Sequence, residues 1–239
     1  MVFDRDGKSI AVLEDLNLDV SDGEFICVVG PSGCGKSTLL NLMGGFLSPT
    51  CGAITIDGEA VHGPDPRRIL VFQERGVFPW LTVEGNIGFG LSRLSRTERG
   101  QRIAHYVQMM RLQGFEHTYP SDLSGGMKQR LQVARALAVN PDILYLDEPF
   151  GALDSVTRHL MRGELLRIWQ AERRTIIFVT HDIDEAVQLA DRVVVLSSRP
   201  ARIEDVLAID IPHPRSMSAP RYLELRDQLL NKIGLAYTV

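Results

Sequence analysis

Short apolar runs recur along the chain and are separated by segments with helical periodicity. The apolar runs lie at 25–29, 69–72, 143–146, 175–179 and 193–196. Because these runs are almost entirely apolar, they predict strands that are buried on both faces of a parallel sheet. A helix is predicted where Ile103, Tyr106, Val107 and Met110 fall at i, i+3, i+4 and i+7. Strands that alternate with helices predict an α/β fold with a parallel-sheet core.

Polar and apolar residues alternate in other parts of the chain. Alternation over 16–20 and over 54–56, where the hairpin dipeptide Asp57-Gly58 follows, predicts an antiparallel β flank beside the core. In the tail, Leu207, Ile209 and Ile211 alternate and predict a further strand. After a proline-rich turn, a last helix is expected from about 220 to 233.

These signals predict one domain with an inserted helical lobe. Strand signals give way to helical ones between β-rich segments, and no repeat or low-complexity linker interrupts the chain. The expected parts are a core formed by 1–72 and 140–202, a helical lobe over 73–139, and a C-terminal strand and helix extension over 203–239.

Composition restricts the class of protein further. With 239 residues, 44% of them hydrophobic and 23% charged, the chain can bury a substantial core. The formal net charge of −4 provides no electrostatic argument for binding nucleic acid or an anionic membrane surface. No apolar run approaches the roughly 18 residues of a spanning helix, and no export signal opens the chain, so we expect neither export nor membrane insertion. Three cysteines without metal-ligand spacing fit a reducing compartment.

A phosphate-binding loop follows the apolar run at 25–29. The pattern G-x-x-x-x-G-K-[ST] and the first helical residue after it comprise Gly30, Pro31, Ser32, Gly33, Cys34, Gly35, Lys36, Ser37 and Thr38. The glycines let successive N–H groups point at phosphate oxygens, and a helix N-terminus adds partial positive charge. Lys36 would contact the β- and γ-phosphates of a nucleotide, and the Ser37 hydroxyl would ligate Mg²⁺. The alternative is a glycine turn with an exposed lysine.

Two acidic residues, Asp147 and Glu148, follow the apolar run at 143–146. Ligands of open α/β sheets bind at the carboxyl ends of the strands, where Gly30 is also expected. Asp147 therefore suits holding Mg²⁺, and Glu148 suits orienting and deprotonating a water molecule. A solvated Asp-Glu turn is the alternative, and the phosphate loop upstream weighs against it.

The segment Leu-Ser-Gly-Gly-Met-Lys-Gln at 123–129 lies between these two motifs. Ser124 is a good N-cap for an amphipathic helix, and Gly125 and Gly126 leave the N–H groups of that helix uncovered for an anion. Together with the flanking motifs, this segment resembles the signature of ATP-binding cassettes. From about 13 to 199 the chain resembles the nucleotide-binding subunit of an ABC transporter. The resemblance implies a P-loop NTPase cassette that binds ATP and Mg²⁺, with this helix end on the γ-phosphate held by an opposite subunit.

The same resemblance implies roles for four further residues. Gln73 is similar to the glutamine that touches Mg²⁺ and water and reports nucleotide state to the membrane partner. Asp154 is similar to the D-loop aspartate that reaches across the dimer, and it also suits a helix N-cap. His181, after the run at 175–179, resembles the switch histidine that contacts the γ-phosphate. Phe3 is the aromatic candidate for stacking on adenine.

Three segments indicate the kind of transporter. Residues 73–83 resemble the corresponding segment of ATPases that serve nitrate, taurine and aliphatic sulfonate uptake, and 198–203 and 211–215 point the same way. The resemblance implies an ATP-dependent homodimer, peripheral on the cytoplasmic face of the inner membrane. Its partner would be an integral permease supplied by a separate extracytoplasmic solute-binding protein, with no role for nucleic acid. Bicarbonate and a pyrimidine precursor are alternative solutes.

Two other protein classes share the phosphate loop. A DNA-repair or chromosome ATPase of the same superfamily would normally interrupt the cassette with a long coiled coil or zinc modules, and neither heptads nor Cys clusters occur. A P-loop phosphotransferase would leave 123–129 without a purpose. Co-purification with a hydrophobic permease would separate the three classes.

The segment Phe78-Pro79-Trp80 has two interpretations. Large apolar residues inside a helical lobe are commonly part of its core. Exposed aromatic residues, in contrast, commonly mark a protein interface, here a groove that would receive a short helix of the permease. Pro79 would then stiffen the loop between Gln73 and that groove.

Overall fold

The computed structural model describes residues 1–5, 8–72, 76–151 and 153–234. Strands and helices alternate through most of this part of the chain, as an α/β fold requires. Strands β1 to β10 span Val2–Arg5, Lys8–Ala11, Phe25–Val29, Thr55–Ile56, Glu59–Ala60, Arg68–Val71, Ile143–Asp147, Thr175–Val179, Arg192–Leu196 and Ile203–Ala208. Helices α1 to α7 span Lys36–Met43, Val83–Gly88, Arg96–Met109, Gly125–Ala138, Ser155–Glu172, Ile183–Leu189 and Pro220–Lys232.

A six-stranded sheet in the order β10-β9-β3-β8-β7-β6 forms the core. Every neighbouring pair is parallel except β10 with β9. Along β3, Phe25, Cys27 and Val29 point into one hydrophobic cluster while Ile26 and Val28 point into the other. Both faces of the strand are therefore dry, and the prediction of a parallel sheet read from continuous apolar runs is confirmed.

The sheet register aligns the carboxyl ends of three neighbouring strands. Val28 of β3 pairs with Val179 of β8, and Val179 pairs with Asp147 of β7. The phosphate loop begins two residues after Val28, and His181 lies two residues after Val179. Parallel pairing thus brings segments that are more than a hundred residues apart to a single edge of the sheet.

Two further antiparallel pairs lie outside this sheet. Strands β4 and β5 form the predicted hairpin, whose turn residues Asp57 and Gly58 have φ of 53° and 80°. The prediction of a strand over 16–20 is wrong, since this extended segment joins no β-ladder in the described chain. Its apolar side chains are nevertheless half-buried against the second cluster, so the pattern identified the buried face but not the pairing. The actual N-terminal hairpin is β1 with β2.

In the described part of the chain between β6 and β7, every regular element is helical, including a short 3₁₀ turn at Pro120–Asp122. Helix α3 contains Ile103, Tyr106 and Val107 of the periodic set, and the fourth member, Met110, is its C-cap. The helix begins at a capping box formed by Ser95 and Glu98. The tail strand β10 ends at Ala208, earlier than the alternation over 207–211 predicted. Ile209 is buried because it packs into the main core cluster, not because it belongs to a strand. Helix α7 matches the prediction and buries its apolar face against α6.

Candidate active site

The phosphate loop connects the buried strand β3 to α1 through backbone that only glycine adopts easily. Gly33 and Gly35 have φ of 73° and 126°. A Cβ on Gly35 would lie 2.7 Å from Leu13 Cδ2 and 2.9 Å from Val12 Cγ1. Gly35 is therefore required by space as well as by backbone angle, which explains this position of the motif.

Lys36 is buried within the curve of this loop. Its Nζ donates hydrogen bonds to the carbonyl oxygens of Gly30 at 2.8 Å and Pro31 at 3.0 Å. Helix α1 starts at Lys36 after Gly35, which provides no side-chain cap, so no capping hydrogen bond from the N-cap side chain occupies its first N–H groups. The ammonium and the helix N-terminus together make this loop a site for an anion such as a phosphate chain.

Asp147 supplies a buried carboxylate beside this loop. Its side chain accepts a hydrogen bond from Ser37. Burial raises the pKa of Asp147, and the nearby charge of Glu148 adds to this rise, while the Ser37 bond and Lys36 oppose it. A desolvated carboxylate next to a hydroxyl offers the hard oxygen ligands that Mg²⁺ prefers, so the residues present fit that ion.

Glu148 and His181 face each other across the ends of β7 and β8. The distance between Glu148 Oε2 and His181 Nδ1 is 3.2 Å. Glu148 has φ of 47°, and its N–H donates to the carbonyl of Val179 at 2.9 Å, which anchors this unusual backbone to β8. The His181 side chain is 66% exposed. The pair can therefore meet a ligand that approaches the phosphate loop from solvent.

The signature segment forms the N-terminus of α4. Ser124 caps the helix, because its Oγ accepts from the Met127 N–H at 3.2 Å, so the predicted N-cap is confirmed. Ser124 and Gly125 are exposed. Among the described residues, no hydrogen bond or ion pair joins this helix end to the phosphate loop of the same chain. Within one subunit these two anion-binding elements are therefore not linked by polar contacts of the described residues.

The remaining predicted site residues are placed in different ways. Asp154 is exposed and caps α5 by accepting from the Thr157 N–H at 2.9 Å, so the predicted cap is confirmed. Hydrogen bonds from Thr157 hold the pKa of Asp154 below its usual value. Phe3 lies in β1, half-buried against the cluster that contains Cys34. Gln73 lies outside the described residues.

Comparisons with known proteins agree with this site. A family model described as ABC transporter matches residues 13–151. The chain belongs to the ABC transporter family. The nitrate import ATP-binding protein of Synechococcus elongatus is 47% identical, and the alignment covers 96% of this chain and 89% of that protein. The aliphatic sulfonates import ATP-binding protein of Bacillus cereus is 44% identical, with coverage of 96% and 91%.

Solved structures of ABC cassettes share the architecture. A dimeric post-hydrolysis state of the ATP-binding cassette MJ0796 bound to ADP and Pi superposes with a TM-score of 0.79 at 31% identity. The superposition covers 88% of this chain and 96% of that chain. This chain is therefore an ATP-hydrolysing ABC cassette with the predicted α/β fold. None of the described helices is long and apolar enough to cross a bilayer.

Two glutamines of this ABC cassette were missed by sequence reasoning. Gln132 Nε2 donates to the carbonyl of Phe72 at 2.6 Å, next to the end of β6. Gln129 Nε2 donates to the carbonyl of Glu148 at 3.4 Å. Both side chains lie on one face of α4, three residues apart. Two glutamines three residues apart on a predicted helix are the signal that would have identified them, because a buried amide requires hydrogen-bond partners.

Proposed function

We propose that this chain powers an importer for a small anion, such as nitrate, taurine or an aliphatic sulfonate. The observation that carries the proposal is the meeting of Ser37 with Asp147 and of Glu148 with His181 at the ends of adjacent strands. Relatives named for nitrate and aliphatic sulfonate import support the solute class. Bicarbonate and a pyrimidine precursor remain alternative solutes, and the comparisons favour neither a DNA-repair ATPase nor a phosphotransferase.

Each side chain has a distinct task in the proposed reaction. Lys36 and the loop N–H groups bind the β- and γ-phosphates, and Ser37, Asp147 and Gln73 would hold Mg²⁺, which would neutralise charge on the phosphate oxygens. Glu148 orients the attacking water and accepts its proton. His181 contacts the γ-phosphate as the bond to the leaving group breaks. Phe3 would support the adenine ring.

The proposed catalytic unit is a homodimer with two composite sites. Ser124, Gly125 and Gly126 of one copy would complete the site that contains Lys36 of the other, and Asp154 would lie at the same interface. The exposure of Ser124 and Gly125 supports this arrangement, as does the absence of a polar contact from this helix end to the phosphate loop among the described residues. The dimeric state described for MJ0796 supports it as well. Closure and opening of the dimer would shift the permease between inward-facing and outward-facing states.

An aromatic patch formed by Phe78, Trp80 and Phe89 is the proposed contact with the permease. The Trp80 residue is 67% exposed, and its ring stacks on Phe78 with centroids 5.3 Å apart. Phe89 is also exposed and lies 4.5 Å from Phe78 between centroids. The guanidinium of Arg135 covers Phe78 at 4.4 Å. An exposed aromatic cluster of this kind suits an apolar helix of a partner protein.

The loop that presents this patch is held by one buried side chain. Asn86 Oδ1 accepts from the Phe78 N–H at 2.7 Å, and Asn86 Nδ2 donates to the carbonyls of Phe78, Leu81 and Thr82 at 3.0 Å each. Asn86 is fully buried. A rigid loop supports the proposal that force is transmitted between the permease and the helical lobe rather than absorbed.

The subunit would sit on the cytoplasmic face of the membrane and meet the solute-binding protein only through the permease.

Transport by the reconstituted complex tests the proposal. With the solute-binding protein present, vesicles containing the permease and this subunit should take up one of the candidate anions only with ATP. Trp80→Ala should weaken permease association and transport while ATP affinity and the melting temperature of the isolated subunit stay nearly unchanged. Leu223→Ala, at an exposed apolar position on α7, is the matched control. A large fall in melting temperature with normal permease binding would assign Trp80 to the core and remove the coupling role.

A further inference from the structure

Arg158 in the first turn of α5 connects two loops of the site. Its Nη2 donates to the carbonyl of Leu153 at 3.0 Å. Its Nη1 lies 3.5 Å from Asp182 Oδ2, and its Nε lies 4.0 Å from Glu185 Oε1. One guanidinium therefore spans from the turn that carries Asp154 to the N-terminus of α6.

The acidic partners of Arg158 define the position of His181. Asp182 Oδ1 caps α6 by accepting from its first N–H groups. Glu185 Oε2 accepts from Thr180 Oγ1 at 2.6 Å, and the same hydroxyl accepts from the Asp182 N–H at 3.0 Å. The residues on both sides of His181 are thus anchored by this network. The His181 ring itself points to Glu148.

Leu153, the third partner of Arg158, lies next to the N-terminus of α4. Leu153 is buried, and a Cβ added to Gly126 would lie 3.1 Å from Leu153 Cδ2. The Leu153 side chain therefore packs against the N-terminus of α4 while its carbonyl is held by Arg158. Asp154, the next residue, caps α5. The turn at Leu153 and Asp154 and the helix end at Gly126 are the elements proposed above to face a second copy.

Burying the charged groups of this network costs free energy, so fold stability alone is a weak reason for their presence. Glu185 is only 4% exposed, and burial raises its pKa. Arg158 Nε is buried without a hydrogen-bond partner among the described residues. Buried charges with incomplete hydrogen bonding often stabilise a fold less than apolar residues of similar volume would. A requirement for defined geometry at His181 accounts for their presence better than stability does.

We propose that Arg158 is a positioning residue that ties His181 to the turn carrying Leu153 and Asp154. The inference rests on the role of His181 in the proposed function. Among the described residues, no hydrogen bond or ion pair joins Arg158 to the phosphate loop, so its removal should disturb the hydrolytic geometry and leave ATP binding intact.

Steady-state kinetics of the full chain test this role. Arg158→Met removes the guanidinium and retains an apolar stem, and we expect kcat to fall about tenfold with KM for ATP within about twofold of wild type. Arg158→Lys should recover part of the rate, because an ammonium can reach one of the partners. Arg167→Met is the control, since Arg167 lies on the same helix, is 77% exposed and pairs only with Glu164 among the described contacts.

A double-mutant cycle separates positioning from general damage. If Arg158 acts through His181, Arg158→Met should cost less than about twofold in a His181→Ala background. The same tenfold loss in both backgrounds would overturn the inference, because a smaller folded fraction lowers both rates equally. If Arg158→Met does not fold, Asp182→Asn replaces it, since Asn caps a helix as well as Asp does but lacks the charge.

The single variant His181→Ala distinguishes the two proposals. A normal kcat for His181→Ala would show that the histidine has no part in hydrolysis, and the proposed catalytic role and the Arg158 inference would both fail. A strongly reduced kcat for His181→Ala with independent effects of Arg158→Met would overturn only the positioning role.

Discussion

Replacing Glu148 with glutamine should stop hydrolysis without removing the ATP site. The substitution keeps the size of the side chain and leaves the backbone bond from Glu148 to the Val179 carbonyl in place. A glutamine oxygen can still accept from His181 Nδ1 across the 3.2 Å that now separates it from Glu148 Oε2. What disappears is the negative charge that would accept a proton from water.

The size of the effect follows from that loss. A positioned general base typically contributes about 10²- to 10⁴-fold to a rate, so kcat should fall by that factor. The contacts of Lys36 with Gly30 and Pro31 do not involve Glu148, so the affinity for ATP should change by less than about twofold. Because ATP is bound but not cleaved, the variant should form an ATP-dependent dimer that light scattering detects. Glu164→Gln, at a surface ion pair on α5, is the control.

ATP binding by Glu148→Gln should also depend on pH differently from ATP binding by wild type. Burial first, and the Glu148 charge in addition, raise the pKa of Asp147, which must be ionised to hold Mg²⁺. As pH falls, a carboxylate with a raised pKa loses its charge earlier than an ordinary one. Removal of the Glu148 charge lowers the pKa of Asp147, so Mg²⁺-dependent binding of a fluorescent ATP analogue should persist to lower pH in Glu148→Gln than in wild type.

Two results would refute this reasoning. Near-normal steady-state hydrolysis by purified Glu148→Gln would exclude it as the base. If ATP binding by Glu148→Gln and by wild type is lost at the same pH on acidification, then Glu148 and Asp147 do not interact as their proximity requires. An unchanged molecular mass on addition of ATP would instead count against the composite sites.

Three further predictions concern binding, assembly and stability. Lys36→Ala should weaken ATP binding at least about tenfold by calorimetry, because the only buried ammonium of the described loop is lost; unchanged affinity would contradict the phosphate site. Ser124→Arg should abolish the ATP-dependent dimer of Glu148→Gln by placing bulk and misdirected charge at the α4 N-terminus, and a persisting dimer would contradict that interface. Burial raises the pKa of Glu185, so the stability it contributes is present below the ordinary carboxyl pKa and is lost as pH rises through the raised value. The difference in unfolding midpoint between wild type and Glu185→Gln should therefore vary with pH in that range, and a constant difference would contradict it.

Local features of this protein could be predicted from its sequence with good accuracy. The strand at 175–179 and the caps at Ser124 and Asp154 match the structure residue by residue. A buried strand requires an uninterrupted apolar run, and an N-cap requires a suitable side chain within three residues of the N–H that it accepts from. Both requirements are met by neighbours in the chain, so the pattern alone is sufficient.

Pairing and long-range contacts were decided by the tertiary structure. The segment 16–20 has the alternation of a strand, but strands also need a partner backbone, and the described ladder there joins β1 to β2 instead. Neither the bridge from Arg158 to Asp182 nor the Asn86 contacts with the loop at Phe78 follows from spacing. A long or buried polar side chain takes whichever partner the fold brings within hydrogen-bonding distance. The motifs determined what chemistry the residues can perform, and the sheet register determined which of them meet.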